Sequence, residues 1–375
     1  MGQGGGLAKR DVGGLAFKAK HLGIIRRFSF VLIKKIMEDN LYIAKTLTLI
    51  QSDRSLFENR SVYANTKLGT LASHLGKSER VKSFPQLAIY TAGSYGRLEA
   101  SPYSDIDLFF VVAKSRDSLP EFRVPEIRLL SDIIDIGFRL DFPKFSNDGE
   151  YLKILFAEDI LNNLGSPSDD YHNYFTARML LLLEGRPVYG EAIYSRLLKN
   201  IINSYFRDYR NHPDDFRPTF LINDILRFWK TLCLNYEHKR NEEESRARIK
   251  HKIKNFKLGF SRLLICFATV AALGAYRKNV TPNIVQKICR MTPVQRLAFA
   301  AQTSPAVQQK VVEALHLHSW FLRKTALSTD QLEKYFSVKA NRIEAFSRAR
   351  EFGNKIFEIL EIMDKDHSNM RYLVV

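Results

Sequence analysis

Two short β-prone segments joined through a glycine turn constrain the fold of this chain more than any other feature. The first is 87–91 (LAIYT), which ends near Gly93, and the second is 105–112 (DIDLFFVV). Short apolar runs rich in β-branched and aromatic residues and bounded by glycine are typical of strands. The pattern over 126–136 predicts a helix, and 138–142 (FRLDF) predicts a third strand. This succession predicts an α/β or α+β core of about 100 residues.

Helical patterns flank this core and divide the chain into four predicted regions. Residues 1–27 are glycine-rich and basic and predict a flexible arm. Residues 28–83 predict a helical lead-in, 84–190 the α+β core, and 191–375 a helical C-terminal domain. A length of 375 residues agrees with several domains, because one core of ordinary size does not accommodate so long a chain.

Two aspartates, Asp105 and Asp107, begin the second predicted strand. Side chains at positions i and i+2 of a strand point to one face, so the two carboxylates project together while Ile106 and Leu108 face a core. Neighbouring carboxylates repel each other unless a cation lies between them. Oxygen ligands on a stiff strand suit Mg²⁺ or Mn²⁺. The pair therefore predicts a divalent metal site.

A third carboxylate would complete a site for two metal ions about 3.5–4 Å apart, which holds the attacking and leaving oxygens in phosphoryl transfer. The preferred candidate is Asp141, which lies in the third predicted strand between two apolar residues. Asp135, near the end of the preceding predicted helix, is the alternative. Strand adjacency favours Asp141 as a metal ligand and catalytic residue, and the choice stays open.

The turn after the first predicted strand has the residue types that an anion site needs. Gly93 has no Cβ, so backbone amides there can approach a phosphate closely. Ser94 supplies a hydroxyl donor at the start of a short predicted helix. Gly96 leaves further room, and Arg97 adds a positive charge. We therefore expect this turn to bind the triphosphate of an NTP.

Residues 93–108 (GSYGRLEASPYSDIDL) carry a resemblance to a known family. The run resembles the signature of the polymerase-beta-type nucleotidyltransferase superfamily, a Gly-Ser turn followed by an Asp-x-Asp strand. Within that superfamily it is most similar to the bacterial uridylyltransferases that modify the PII signalling protein, and to their shorter relatives. The similarity continues loosely through 135–137 and 178–190.

The resemblance implies a mixed sheet with flanking helices, and transfer of a nucleoside monophosphate from NTP to an acceptor with release of pyrophosphate. By position, Gly93 and Ser94 would hold the triphosphate, and Asp105 and Asp107 the metal ions. Full-length uridylyltransferases also carry a hydrolase domain with an HD motif and ligand-sensing domains. This sequence has no HD motif, so regulated modification of PII is not expected and the acceptor is open.

The net charge of +17 favours a polyanionic partner. Basic residues concentrate between 239 and 262, where Lys254 and Lys257 recur at helical spacing, and Lys230 lies on the preceding predicted helix. These lysines could bind the triphosphate or a nucleic-acid backbone, although a solvated helix face accounts for them equally well. The first hypothesis for the acceptor is therefore an RNA, such as a tRNA-like 3′ end.

Other functions also fit the sequence. They are template-free synthesis of a signalling oligonucleotide, as in phage defence, protein nucleotidylylation, and an inactive NTP-binding module. Three widely spaced cysteines indicate free thiols in a reducing compartment. No signal peptide is visible, and the most apolar stretch, 263–275, is shorter than the ~20 residues of a membrane span. A cytoplasmic protein without a membrane partner is the expectation.

Overall fold

The computed structural model describes residues 50–364 except 116–121, 144, 146–148, 150–151, 212, 215, 239–244 and 277–278. The predicted basic arm, 1–27, and residues 28–49 of the predicted lead-in lie outside the described residues. All described residues belong to one compact unit, Thr46–Val375. The domain boundaries after 83 and after 190 stay predictions.

A four-stranded mixed sheet forms the centre of the α+β region. Its strands are β1 (Leu87–Ala92), β2 (Asp107–Val112), β3 (Ile154–Phe156) and β4 (Arg186–Tyr189). The strands lie side by side in the order β3-β2-β1-β4. β1 pairs antiparallel with both β2 and β4, whereas β2 pairs parallel with β3.

Helices cover this sheet and build the rest of the described chain. In and around the sheet they are α1 (Arg54–Lys77), α2 (Glu79–Ser83), α3 (Gly93–Gly96), α4 (Arg123–Arg139), α5 (Ala157–Asn162), α6 (Pro167–Tyr171), α7 (Tyr174–Glu184) and α8 (Glu191–Ser204). Further along the chain they are α9 (Thr219–His238), α10 (Ser245–Lys257), α11 (Leu263–Gly274), α12 (Pro282–Arg290), α13 (Pro293–Ala300), α14 (Pro305–Lys324), α15 (Thr329–Ser337) and α16 (Lys339–Met363). A π-helical segment, Leu258–Arg262, joins α10 to α11, and 3₁₀ turns occur at Gln51–Asp53, Tyr209–Asn211 and Ala301–Thr303.

Side chains alternate between the two faces of the sheet along each strand. Both faces are buried, because helices pack against each of them. Ile89 of β1 and Leu108 of β2 belong to a core that includes residues of α1 and α4. Tyr90 and Phe109, one position further along, belong to a second core with residues of α7 and α8. Their rings stack with centroids 5.2 Å apart. The sheet is therefore the middle layer of three.

The predicted fold class is confirmed. The described chain is α+β, with a four-stranded mixed sheet and helical regions on both sides of it in sequence. The first predicted strand matches β1 to within one residue. The second begins at Asp107 rather than at Asp105, so only one of the two aspartates is inside the strand.

The predicted third strand, 138–142, is wrong. Helix α4 continues through Arg139, and Asp141 follows in a turn with a φ angle of +52°. The apolar positions of FRLDF alternate, but Phe138 lies on the exposed side of the helix and only Phe142 is buried. Alternation over five residues therefore did not distinguish a helix end from a strand.

Two strands occur where the sequence pattern predicts only helices. β3 and β4 have three and four residues, too few to show a period of two. β4 also contains Pro187, which an edge strand tolerates because its outer N–H groups need no partner. The rest of the described chain after residue 157 is helices and their connections, as predicted.

One helix of the described chain, Arg248–Gly274, is long and apolar enough to cross a membrane by length and composition. The predicted apolar stretch, 263–275, overlaps the C-terminal half of this helix, which begins 15 residues earlier. The most apolar part of this helix has a mean hydropathy of 1.7, and 67% of that part is buried inside the protein. Phe260, for example, stacks on Phe321 of α14 and Phe352 of α16. Packing in the core accounts for the apolar composition.

Candidate active site

The Gly-Ser turn and the Asp-x-Asp segment lie side by side at one end of the sheet. β1 ends at Ala92, and the antiparallel register pairs Ala92 with Asp107, the first residue of β2. Gly93 follows with a φ angle of +65°, and a Cβ there would lie 2.6 Å from Oδ2 of Asp107. Only glycine fits both the left-handed backbone and this close approach. The carboxylate of Asp107 therefore lies directly against the turn.

The inner side of the turn packs on the end of α7. A Cβ at Gly96 would lie 2.0 Å from the carbonyl oxygen of Glu184, so this second glycine also permits a close approach. The backbone amide of Gly93 hydrogen-bonds the carboxylate of Glu184. The Gly93 amide is thus already engaged, although the sequence predicted that it would face a phosphate.

Ser94 is the one residue of α3 that is not fully buried. It is half-buried, and within the described part of the chain its hydroxyl makes no hydrogen bond. Its carbonyl oxygen accepts a 2.8 Å hydrogen bond from the amide of Glu99, which fixes the backbone. The hydroxyl is therefore free to donate to an anion at the surface of the turn.

Asp105 and Asp107 differ in environment. Asp105 is exposed in the segment before β2, and Asp107 is half-buried at the start of that strand. Ile106 and Leu108 both enter the core on the α1 and α4 side of the sheet. Tyr95, buried in the turn, has a raised pKa because of its burial, its contact with Tyr63 and the nearby charge of Asp105. The first carboxylate therefore also lies close to the turn.

No third metal ligand is found beside these two aspartates among the described residues, in which no group of three His, Cys, Asp or Glu side chains could hold a metal ion. Asp141 is exposed in the turn after α4, and Asp135 is exposed on α4 itself. The strand adjacency that favoured Asp141 does not exist. β3 lies beside β2 instead, and the sequence before β3 carries Asp148 and Glu150, which lie outside the described residues.

Arg97 occupies a different environment from the one the sequence suggests. Its side chain is 7% exposed, with Nη1 2.6 Å from Oε2 of Glu184 and Nε 2.7 Å from Oε2 of Glu99. Two carboxylates thus neutralise its charge beneath the turn. Contact with a triphosphate would require the guanidinium to leave both of them.

The three predicted lysine ligands are on the surface of the helical region. Lys230 is exposed on α9, and Lys254 and Lys257 are exposed on α10. None of them forms an ion pair with another described residue. Their charges are therefore available to a partner in solution, and nothing in their positions fixes which partner.

A chain of buried polar groups beneath the turn was missed at the sequence level. Glu184 accepts from Arg97 and from Arg262, and Glu99 lies 2.7 Å from Nε2 of His318 on α14. Because a carboxylate only accepts, the contact places a proton on Nε2 of His318. The signal in the sequence was that Glu184 ends an apolar stretch, 179–183, and that Glu99 and Glu184 each lie two residues from an arginine.

The two carboxylates beneath the turn, those of Glu99 and Glu184, are held in the ionised form. Burial alone would raise the pKa of Glu99, but His318 and Arg97 outweigh it and lower that pKa to about 2. Burial likewise opposes ionisation of Glu184, and the charges of Arg262 and Arg97 together with the Gly93 amide lower its pKa. Both acids are therefore negatively charged at neutral pH.

The C-terminal end of α14 also contacts the segment between the turn and β2. The hydroxyl of Ser101 donates to the carbonyl of Thr325, at 3.3 Å. Arg60 of α1 donates to the carbonyl of Leu322, at 2.6 Å, and to that of Glu99, at 3.4 Å. The helical region thus supports the candidate site from behind.

Comparison with known protein families identifies the segment that contains this site. Residues 77–178 match the family model of the nucleotidyltransferase domain, somewhat over a quarter of the chain. The match supports the polymerase-beta-type superfamily for this segment. Comparisons with curated proteins and with solved structures find no match. This segment is therefore similar to nucleotidyltransferase domains, which supports a transferase role.

Replacing Gly93 by alanine tests the close approach between the turn and Asp107. We expect Gly93→Ala to reduce nucleotide turnover at least tenfold, because the new Cβ would displace the carboxylate and strain the backbone by about 1–3 kcal/mol. Turnover of labelled NTP and the Tm are the measurements. Gly69→Ala is the matched control, since Gly69 is exposed on α1 with no atom near its Cβ position. Full turnover in Gly93→Ala would contradict the geometry.

Proposed function

We propose that this protein is a nucleotidyltransferase that depends on Mg²⁺ or Mn²⁺ and transfers a nucleoside monophosphate from NTP to an acceptor hydroxyl, with release of pyrophosphate. The single observation that carries the proposal is the carboxylate of Asp107 lying against the Gly93 turn. The family match to a nucleotidyltransferase domain supports the same reaction class. We further propose that the acceptor is RNA.

The carboxylates explain why a metal ion is needed. A triphosphate bound at Ser94 would lie close to the negative charge of Asp107, and the two would repel each other without a cation between them. Mg²⁺ is commonly held by one or two carboxylates together with substrate phosphates and water. Asp105 and Asp107 fit that donor set for one ion. When bound, the ion would neutralise the triphosphate and activate the acceptor hydroxyl.

The protein itself would mainly bind and orient the reactants. The Ser94 hydroxyl would donate to a phosphate oxygen, and the rigid turn would hold the triphosphate in one position. The acceptor oxygen would then form a bond to the α-phosphorus, the bond from that phosphorus to the β-phosphate oxygen would break with departure of pyrophosphate, and the acceptor hydroxyl would give its proton to solvent. Positioning and charge stabilisation dominate such reactions.

The RNA proposal rests on charge. The chain carries +17 overall, and α10 presents exposed Lys250, Lys254 and Lys257 in register along one face. Lysines spaced by three or four residues on a helix form one stripe. Such a stripe fits the regular negative charge of a nucleic-acid backbone.

Replacing both aspartates tests the reaction. We expect Asp105→Asn with Asp107→Asn to lose at least about 100-fold in transfer of label from α-³²P NTP, because metal-held charge supplies several kcal/mol in the transition state. EDTA should abolish transfer by the parent protein, and Mg²⁺ or Mn²⁺ should restore it. Asp208→Asn, at an exposed loop position, is the isosteric control. A double variant as active as the parent would refute the site.

The third carboxylate is tested by single variants in the same assay. Asp141→Asn should lose at least tenfold in transfer if Asp141 completes the metal site, while Asp135→Asn should stay near the parent. Glu150→Gln is the necessary comparison, because Glu150 precedes the strand that pairs with β2. Loss in Glu150→Gln alone would move the third ligand to that segment and end the assignment of Asp141.

The acceptor is tested through the dependence of binding on salt. For single-stranded RNA each phosphate contact adds about 0.7 to the slope of log affinity against log salt. Lys254→Gln with Lys257→Gln should therefore weaken RNA binding and lower that slope by about 1.4. Lys334→Gln with Lys339→Gln, exposed on α15 and α16, should change neither. An increased KM for NTP with unchanged RNA binding would assign these lysines to the triphosphate instead.

The products of the labelling assay separate the other functions. A small labelled product without added acceptor would indicate a signalling oligonucleotide. Label on a protein band would indicate protein nucleotidylylation. NTP affinity without turnover in either metal would indicate a binding module.

A further inference from the structure

A continuous chain of polar contacts, buried except at Arg262, links the helical region to the Gly-Ser turn. It runs from Arg262 to Glu184, then to Arg97, Glu99 and finally His318. Arg262 lies at the end of the π-helical segment and His318 in the middle of α14. The two ends of the chain therefore come from different helices, and its centre lies beneath the turn.

The three central members, Glu184, Arg97 and Glu99, also bond the backbone of the turn. The carboxylate of Glu184 accepts from the Gly93 amide. The amide of Arg97 donates to the Gly93 carbonyl at 3.1 Å, and the amide of Glu99 donates to the Ser94 carbonyl at 2.8 Å. The same three residues that form ion pairs beneath the turn thus also bond the Gly93 amide, the Gly93 carbonyl and the Ser94 carbonyl.

Stability alone does not account for so many buried charges. Transfer of each charge out of water is costly, and well-packed apolar residues often replace a buried ion pair without loss of stability. Here the chain instead fixes the position of the Ser94 hydroxyl and of the backbone that lies against Asp107. A rigid anion site avoids the cost of ordering the turn when the nucleotide binds.

We propose that Glu184, Arg97 and Glu99 are positioning residues, which hold the Gly93–Ser94 turn in its triphosphate-binding geometry and are themselves anchored to the helical region by Arg262 and His318. This inference rests on the proposed function. It assigns Arg97 to the support of the turn rather than to the triphosphate. It also makes nucleotide affinity depend on His318, a residue more than 200 positions away from the turn in sequence.

The protein contains a matched control for the cost of disturbing a buried ion pair. Arg178 and Asp169 are as buried as the chain under the turn, with Nη1–Oδ1 and Nη2–Oδ2 distances of 2.9 and 2.6 Å. Arg178 also bonds Tyr205, which bonds Asp224, so this second network ties α6, α7 and α9 together. Within the described residues, the bonds of this network do not reach the turn, so its loss should affect stability alone.

The experiment compares nucleotide binding with stability in Glu184→Gln, Arg97→Lys and Asp169→Asn of the full chain. The four NTPs are first tested with the parent protein and Mg²⁺, and the one with the lowest KM is used. We expect Glu184→Gln and Arg97→Lys to raise that KM at least tenfold, measured well below the Tm of each variant. Asp169→Asn should lower the Tm by a similar amount and leave the KM unchanged.

His318→Gln extends the test to a residue that does not contact the turn and serves if the first variants fail to fold. We expect it to raise the KM for NTP at least threefold, because a glutamine side chain would lack the ring stacking that fixes the donor to Glu99. Equal loss of Tm with unchanged KM in the Glu184, Arg97 and His318 variants would overturn the inference. A parent protein that neither binds nor turns over any NTP would instead overturn the proposed function, so the two failures are distinguishable.

Discussion

The close approach of the Asp107 carboxylate to Gly93 is the contact on which the candidate site depends. It follows from the antiparallel pairing of β1 with β2, which sets Ala92 opposite Asp107 at the end of the sheet. Any side chain at Gly93 would occupy the space that the carboxylate fills. A single residue without a Cβ thus allows the turn and a carboxylate to share one small region, which is where the proposed divalent cation would bind between the carboxylate and the triphosphate.

This arrangement draws on parts of the chain well beyond the nucleotidyltransferase match. The match covers 77–178, yet Glu184, Arg262 and His318, which support the turn from below, all lie after it. The edge strand β4 also follows the matched segment and pairs with β1. The helical region is therefore part of the framework of the site, because buried charges need partners wherever the fold can supply them.

Much of the fold was predictable, and the errors fall in segments that are too short to show a reliable hydrophobic period. β1, the central part of α4 and the helical nature of the later chain follow from composition and periodicity over long enough windows. β3 and β4 are too short to show a period, and FRLDF alternates although it is the end of a helix and a turn. Asp141 was therefore predicted to lie on a strand, but it lies in a turn after α4. Its role as the third metal ligand stays a prediction.

Local sequence determined which residues meet at the turn, since a Gly-Ser turn and an Asp-x-Asp segment about ten residues apart return to the same end of two adjacent strands. Only the tertiary structure decided how Arg97 is used. From the sequence, an arginine beside a glycine turn could bind a phosphate as well as a carboxylate. In the structure the Arg97 guanidinium lies between Glu99 and Glu184. The partners come from distant segments, and the energy of a buried charge depends on those partners rather than on its sequence neighbours.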